Sequence, residues 1–308
     1  MLKSLRQLLY ICLFILLRPL LLILPFSFYL RITKFLSSLT FPFYFKRRLV
    51  AKKNLMLISV FSKKQINDIL REGLMDASMS MLMECYTDHF TEEIYKKYVV
   101  IDGETNFRQI KTEKKTPIMA MIHSNFLLSG AALTGYFEKM HTAAFVDEKY
   151  LSLIQRFHAK IRRRQFDSME RVTNNYIVGK GSLSAKFRSL IDEGNLVSVC
   201  IDGIHSSTFF TIPFFNKKIR LPGGIFWIAA KNQAPMIPFF WGFDREQNIF
   251  RIWIGKPIQN ENPETIAREY VIQFEQHLRK HPSHWTGWWR MKFIRDENGE
   301  EVFVLHKI

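Results

Sequence analysis

The chain has only three cysteines, Cys12, Cys85 and Cys200, and no two of them form a CxxC pair. So few and so scattered, they exclude a disulfide framework and a structural zinc of the paired-cysteine kind, and they suit a reducing compartment. Metal-binding patterns are also missing. His205, His277, His281 and His284 show no HExxH or comparable ligand spacing, so no metal is expected. Neither a glycine-rich dinucleotide fingerprint nor a P-loop is present, and no nucleotide or other cofactor is implied. Zinc-finger spacing, an RNA-recognition signature and a heptad-plus-basic helix are absent, which puts nucleic acid low among partners. There is no internal repeat and no long low-complexity linker.

What is present is an ordinary globular composition, 47% hydrophobic and 23% charged over 308 residues, enough for one large domain or a domain with an appendage; we favour the second. Phenylalanine is the outlier. Its 28 rings, with six tryptophans, suit a core or the lining of a hydrocarbon site. A formal net charge of +16, with Lys and Arg recurring from residue 3 to residue 307, calls for an acidic partner. Anionic lipid headgroups, a phosphorylated glycolipid and an acidic carrier protein fit.

Residues 8–30, LLYICLFILLRPLLLILPFSFYL, are apolar apart from Arg18, Ser27 and two prolines, and about 20 such residues span a bilayer. Arg18 and Pro19 fall mid-segment, where a charge and a lost helix hydrogen bond are both costly. Basic residues flank both ends, Lys3 and Arg6 before and Lys46, Arg47, Arg48, Lys52 and Lys53 after, so charge gives no orientation for a single crossing. The symmetry predicts a helical hairpin or interfacial anchor over 1–40 with both ends cytoplasmic. A cleaved signal peptide is the competing reading, weakened by the length of the apolar region and the lack of a small-residue cleavage site.

From 41 to about 115 apolar residues recur every three or four positions, which predicts helices. Then PIMAMI (117–122), TAAFV (142–146), NNYIV (174–178), LVSVCI (196–201), APMIPFFWG (234–242) and IFRIWI (249–254) read as short strands. Helical stretches alternate with them, among them SLSAKFRSLIDEG, closed by Gly194 as a C-cap. The expectation is an α/β fold: a mixed sheet flanked by helices over 41–308, preceded by the membrane-associated helical segment.

His123 directly follows an apolar strand, where α/β sheets gather their ligands. An imidazole with an ordinary pKa near ~6.5 suits a general base, and a packing or helix-capping role is the bland alternative. Asp202 follows LVSVCI in the same way and precedes Gly203, so a turn role competes with a functional one. If those two strands are parallel neighbours, both residues share one rim. Downstream, Lys217, Lys218 and Arg220 adjoin aromatic residues and the Pro222-Gly223-Gly224 turn, as an anionic head on a greasy chain would require; a core strand with a basic surface loop explains the same pattern. Arg162, Arg163 and Arg164 form a cluster suited to phosphate or carboxylate, or a solvated helix face.

The order of elements resembles the late lauroyl/myristoyl acyltransferases of lipid A biosynthesis, within the lysophospholipid acyltransferase-like superfamily. The resemblance runs from the N-terminal apolar segment to about residue 295. It rests on RRLVAKKNLMLI (47–58), strand-His at 117–123, the arginines around 162–164, EGNLVSVCIDG (193–203), IPFFNKKIRLPGG (212–224), APMIPFF and HPSHWTGWWRMKF (281–293). It implies a glycerolipid-acyltransferase-like fold and a bacterial inner-membrane enzyme with a cytoplasmic catalytic domain. Such an enzyme moves an acyl chain from acyl carrier protein, or acyl-CoA, to a hydroxyl of a lipid or glycolipid without a covalent acyl-enzyme. In that family a His-x4-Asp/Glu motif supplies the base and its orienting carboxylate. His123 matches the first position. Leu128 stands at the second, and no acid follows before Glu138. Either Asp202 orients His123 instead, or the chain only binds lipid or carrier within a biosynthetic assembly. The resemblance also matches Trp285, Arg290 and Lys292 to the family's ending, as structural support or headgroup contacts. Arg163, Arg164, Lys217, Lys218, Arg220 and Arg290 are the candidate substrate contacts.

Overall fold

The structure, a computed structural model, describes residues 18–40, 44–83, 86, 89–126, 130, 135, 137–138, 140–144, 175–178, 183–203, 206–296 and 299–305. Helices α1 (Arg18–Leu22), α2 (Phe26–Thr40), α3 (Phe45–Ile58), α4 (Lys63–Met83) and α5 (Glu92–Tyr98) come first. Strand β1 (Val99–Asp102) and helix α6 (Glu104–Thr112) follow, then β2 (Ile118–Met121), β3 (His141–Ala144), β4 (Asn175–Val178), α7 (Leu183–Asp192) and β5 (Val197–Cys200). The remainder is β6 (Phe209–Phe214), β7 (Lys217–Pro222), α8 (Gly224–Lys231), β8 (Met236–Asp244), β9 (Ile249–Ile254), α9 (Pro263–Lys280), β10 (Met291–Arg295) and β11 (Glu301–Leu305). Among the described residues no helix is long and apolar enough to cross a membrane.

The predicted α/β mixed sheet is present. A seven-stranded sheet runs β1-β9-β8-β2-β5-β3-β4, parallel throughout except for the β8–β9 hairpin. Each of the six expected strands is found, IFRIWI with its exact bounds. One four-residue strand, β1, interrupts the region expected to be helical. It forms the edge of the sheet beside β9, and four residues between two helices are too few to show a period of their own. A second sheet, β10-β11-β7-β6, lies outside the expected strands. There Lys217, Lys218 and Arg220 belong to strand β7, where Ile219 and Leu221 alternate inward, and not to a surface loop.

Local chemistry sets the element ends. Asn262 caps α9, its side-chain oxygen accepting from the main-chain N–H of Glu264 at 2.8 Å and Thr265 at 3.2 Å, with Pro263 in the first turn. Gly194 closes α7 as expected, with φ +79°, its N–H donating to Ile191 O at 3.0 Å.

Alternation along the strands divides the core between two faces. One face of the large sheet, with Ile118, Ala120, Ile122, Val197 and Phe240, packs on α9 (Tyr270, Phe274, Leu278), the second sheet (Phe214, Ile219) and Trp285. The other, with Met119, Met121, Phe239 and Trp241, packs on Met79 and Met83 of α4 and on Phe26, Tyr29 and Leu30 of α2. Helix α2 thus lies within the N-terminal segment of the sequence and also contributes to the core. A buried ion pair ties these layers: Arg245 donates to Asp76 Oδ1 at 2.6 and 2.9 Å, while Lys34 of α2 donates to Arg245 O at 2.6 Å.

Candidate active site

Strands β2 and β5 are parallel neighbours with Met121 opposite Cys200, so the residues two positions beyond each strand end come side by side. They are His123 and Asp202. The imidazole Nδ1 lies 2.7 Å from Asp202 Oδ1, and the His123 main-chain N–H donates to both carboxylate oxygens, at 3.0 and 3.1 Å. Asp202 is fully buried, whereas the His123 side chain is 25% exposed, so the pair is sealed on one side and open on the other. Asp202 stands in the turn before Gly203, and its carboxylate faces back to the end of β2.

Trp285 completes the carboxylate's shell. Its indole N–H donates to Asp202 Oδ2 at 2.8 Å from a fully buried ring. The next residue holds the histidine from behind, with the Thr286 N–H and hydroxyl both donating to His123 O, at 3.0 and 2.8 Å. Asn125 Nδ2 donates to Ser283 O at 3.2 Å, and Ser124 forms a β-bridge with Trp285. Segment 283–286 therefore clamps the strand end that carries the imidazole. In the sequence Trp285 reads as support or headgroup contact, and nothing singles out Thr286. Their only signal was membership of the block HPSHWTGWWRMKF.

Burial alone would raise the pKa of Asp202. The His123 imidazole, the hydrogen bonds from His123 and Trp285, and the Arg290 guanidinium outweigh it, and the carboxyl titrates below its usual range. An ionised carboxylate can only accept, so the proton between the two side chains belongs to Nδ1 and the lone pair of Nε2 is left free. That is the tautomer a general base needs. The neighbouring Cys200 is held as the thiol, because burial first and the Asp202 charge second raise its pKa against the effect of Arg290.

His123, Cys200 and Asp202 form the one group of ligand-type side chains among the described residues whose donor atoms lie within 4.8 Å of one another. The 2.7 Å between Nδ1 and Oδ1 is shorter than the roughly 3.3 Å separating two ligands on a tetrahedral zinc with bonds near 2.0 Å. The pair is drawn together by a hydrogen bond, not spread around a cation.

Of the candidate substrate contacts, Arg290 lies electrostatically close to Asp202 and carries no ion pair among the described residues. Lys217 and Lys218 have their charges met by Glu301, at 2.6 Å, and Glu300, and Arg220 stands 4.5 Å over the Phe209 ring. The structure brings none of these three into bonding contact with His123 or Asp202. Arg162, Arg163, Arg164, Leu128 and His205 lie outside the described residues.

His277, His281 and His284 do come together, with ring centroids 5.0–5.6 Å apart against Trp253. Through His284 their cluster reaches into segment 283–286. Burial is the main cause of a lowered pKa in each, and His284 is brought down to about 3, so the rings pack as neutral groups.

Comparison with curated proteins returned no match. The model of the family described as bacterial lipid A biosynthesis acyltransferase matches residues 1–293, nearly the whole chain with His123, Asp202 and Trp285 inside it, and the chain belongs to that family.

Proposed function

We propose that the protein transfers a fatty acyl group from acyl carrier protein, or from acyl-CoA, to a hydroxyl of a lipid or glycolipid acceptor, with His123 as general base. Family membership gives an acyltransferase with an acyl donor and a lipid acceptor. The observation that carries the residue assignment is the 2.7 Å contact between His123 Nδ1 and a carboxylate that is fully buried and ionised. Nε2 takes the proton from the acceptor hydroxyl as its oxygen attacks the thioester carbonyl. The new C–O bond forms, the C–S bond breaks, and the proton passes from Nε2 to the leaving sulfur. Asp202 keeps the imidazole in the correct tautomer and stabilises the imidazolium while it exists. Arg290 and the arginines at 163 and 164 are the groups to meet anionic parts of donor or acceptor. The apolar N-terminal segment and the +16 charge support attachment to the bacterial inner membrane from the cytoplasmic side.

The test is transfer of a labelled acyl group from acyl carrier protein to membrane lipids by the purified protein, with His123→Ala in parallel. Transfer by the wild type, lost in His123→Ala by about 10²-fold or more, is the expected result. Transfer undiminished in His123→Ala overturns the assignment of the base. One observation favours a second reading: Leu128 stands where the family motif has an acid. On that reading the chain binds lipid or carrier without chemistry, and a wild type that acylates no lipid class selects it.

A further inference from the structure

The first acidic residue of the chain is Asp68, and every charge before it is positive. Exposed apolar side chains concentrate in the same region. Among the described residues, the large apolar side chains that stand exposed all lie between Ile23 and Val60 except Val100, Trp227 and Ile272.

Helical periodicity sorts them into stripes. In α3 the buried residues are Ala51, Asn54, Leu55 and Ile58. At about 100° per residue, Phe45, Leu49 and Met56 fall within a narrow arc on the opposite side. Each is more than half exposed. Arg48 and Lys52 flank this arc on one side and Lys46 and Lys53 on the other. Helix α2 repeats the pattern: Phe26, Tyr29 and Leu30 point into the core, while Phe28, Phe35 and Leu39 align on the far side, also more than half exposed. An open groove of about 470 Å³, lined by Leu49, Lys52, Lys53, Met56 and Leu57, runs along the α3 stripe.

Neither stripe is needed by the core, because each helix already buries its other face. Helix α2 is also pinned by Lys34, which donates to Arg245 O at 2.6 Å and Asn248 Oδ1 at 3.1 Å. An apolar stripe bordered by Lys and Arg, with no acid on the helix, is the surface that lies in a bilayer interface: the rings enter the acyl boundary and the cations meet phosphate. A second copy of the chain would bring like charges face to face. An acidic carrier protein answers the cations and leaves the rings of α2 uncovered.

We propose that α2 and α3 lie on an anionic lipid surface through Phe28, Phe35, Leu39, Phe45, Leu49 and Met56, so that the folded domain itself is a membrane-binding body beyond any anchoring by residues 1–17. This rests on the membrane attachment proposed above and assigns the face that makes it.

The experiment uses the full chain with Cys12, Cys85 and Cys200 replaced, shown by thermal unfolding to fold like the wild type. An environment-sensitive fluorophore is placed on Leu49→Cys, Met56→Cys or Phe35→Cys, with Ile272→Cys on α9 as the exposed control. Vesicles of phosphatidylglycerol and phosphatidylcholine carry a quencher in the acyl region; the second sample is phosphatidylcholine alone. The expected result is co-sedimentation with the anionic vesicles, quenching at 35, 49 and 56 several-fold stronger than at 272, and weaker association without the anionic lipid. Co-sedimentation with no more quenching at 49 and 56 than at 272 overturns the assigned face and leaves membrane attachment standing. Failure to co-sediment with either vesicle overturns both. A label at 49 that ignores lipid and responds to acyl carrier protein gives the surface to that protein instead.

Discussion

Asp202→Asn tests the active-site reasoning most sharply, because the structure shows why an isosteric amide cannot replace the carboxylate. Oδ1 accepts from His123 Nδ1 at 2.7 Å and Oδ2 accepts from Trp285 Nε1 at 2.8 Å. Asparagine keeps one acceptor and presents two donors where the other acceptor was. If its oxygen faces Trp285, its NH2 meets the imidazole, which must shift its proton to Nε2 and lose the basic lone pair. If its oxygen faces His123, two buried donors oppose each other at Trp285. That costs about 1–3 kcal/mol of stability. In the first orientation transfer should fall by about 10²–10⁴-fold; in the second the tautomer survives and the loss is smaller, that of the carboxylate charge facing the imidazolium. Trp285→Phe removes the opposing donor, so in that background asparagine is free to turn its oxygen toward the imidazole. Activity lost on going from Asp202 to Asn should then be smaller than in the wild type. The two substitutions should couple in stability by about 0.5–3 kcal/mol. The assays are acyl transfer from labelled acyl carrier protein and urea unfolding of the four proteins. Wild-type turnover in Asp202→Asn, or free energies that add to within about 0.5 kcal/mol, refutes the account.

Arg245→Ala should destabilise the fold by about 3–5 kcal/mol, measured by denaturant unfolding, because buried Asp76 loses the cation that holds it ionised and must bind a proton to stay inside. Burial already raises that carboxyl to about 6 against the pull of Arg245. The histidine cluster gives a pH dependence of known sign: His277 and His284 are neutral in the folded chain with pKa values lowered by burial, and the unfolded chain takes up protons below about 6.5. Stability should therefore decline on acidification from pH 6.5 toward 4, by up to about 1.4 kcal/mol per pH unit for each histidine. Asp76 acts in the opposite direction as the pH falls through about 6 toward 3.8. The difference between wild type and His284→Phe isolates the histidine contribution, and identical pH profiles for the two would contradict it. Gly130→Ala should lower stability and transfer together, because a Cβ there would sit 2.4 Å from Trp241 Nε1 in the segment that follows His123; unfolding and transfer assays unchanged by the methyl group would count against that packing.

Much of the fold was legible because its strands are short apolar runs with polar or glycine borders. β2 is buried throughout and β9 buries every second residue, so the local pattern identifies both. β7 was harder to read. Its sequence KKIRLP looks like a basic loop until the buried Ile219 and Leu221 are set against β6 and β11, a pairing that no local signal encodes. The same holds at the site. His123 and Asp202 each stood out as a polar residue ending an apolar strand, whereas Trp285 in an aromatic-rich block did not differ from a core tryptophan. Its indole N–H became informative only with a partner in view.

By itself, the sequence determined where six strands of the large sheet and helix α7 form, that a histidine and an aspartate follow two of those strands, and that the first 67 residues carry no negative charge. These properties are local: period, composition and position along the chain. Only the tertiary structure decided that β2 and β5 are adjacent, parallel and in register, so that His123 meets a carboxylate 79 residues away in sequence. It also decided which faces of α2 and α3 are spare. Strand order and exposed face are set by the sum of apolar surfaces competing for one interior, a balance over the whole chain that no stretch of it specifies alone.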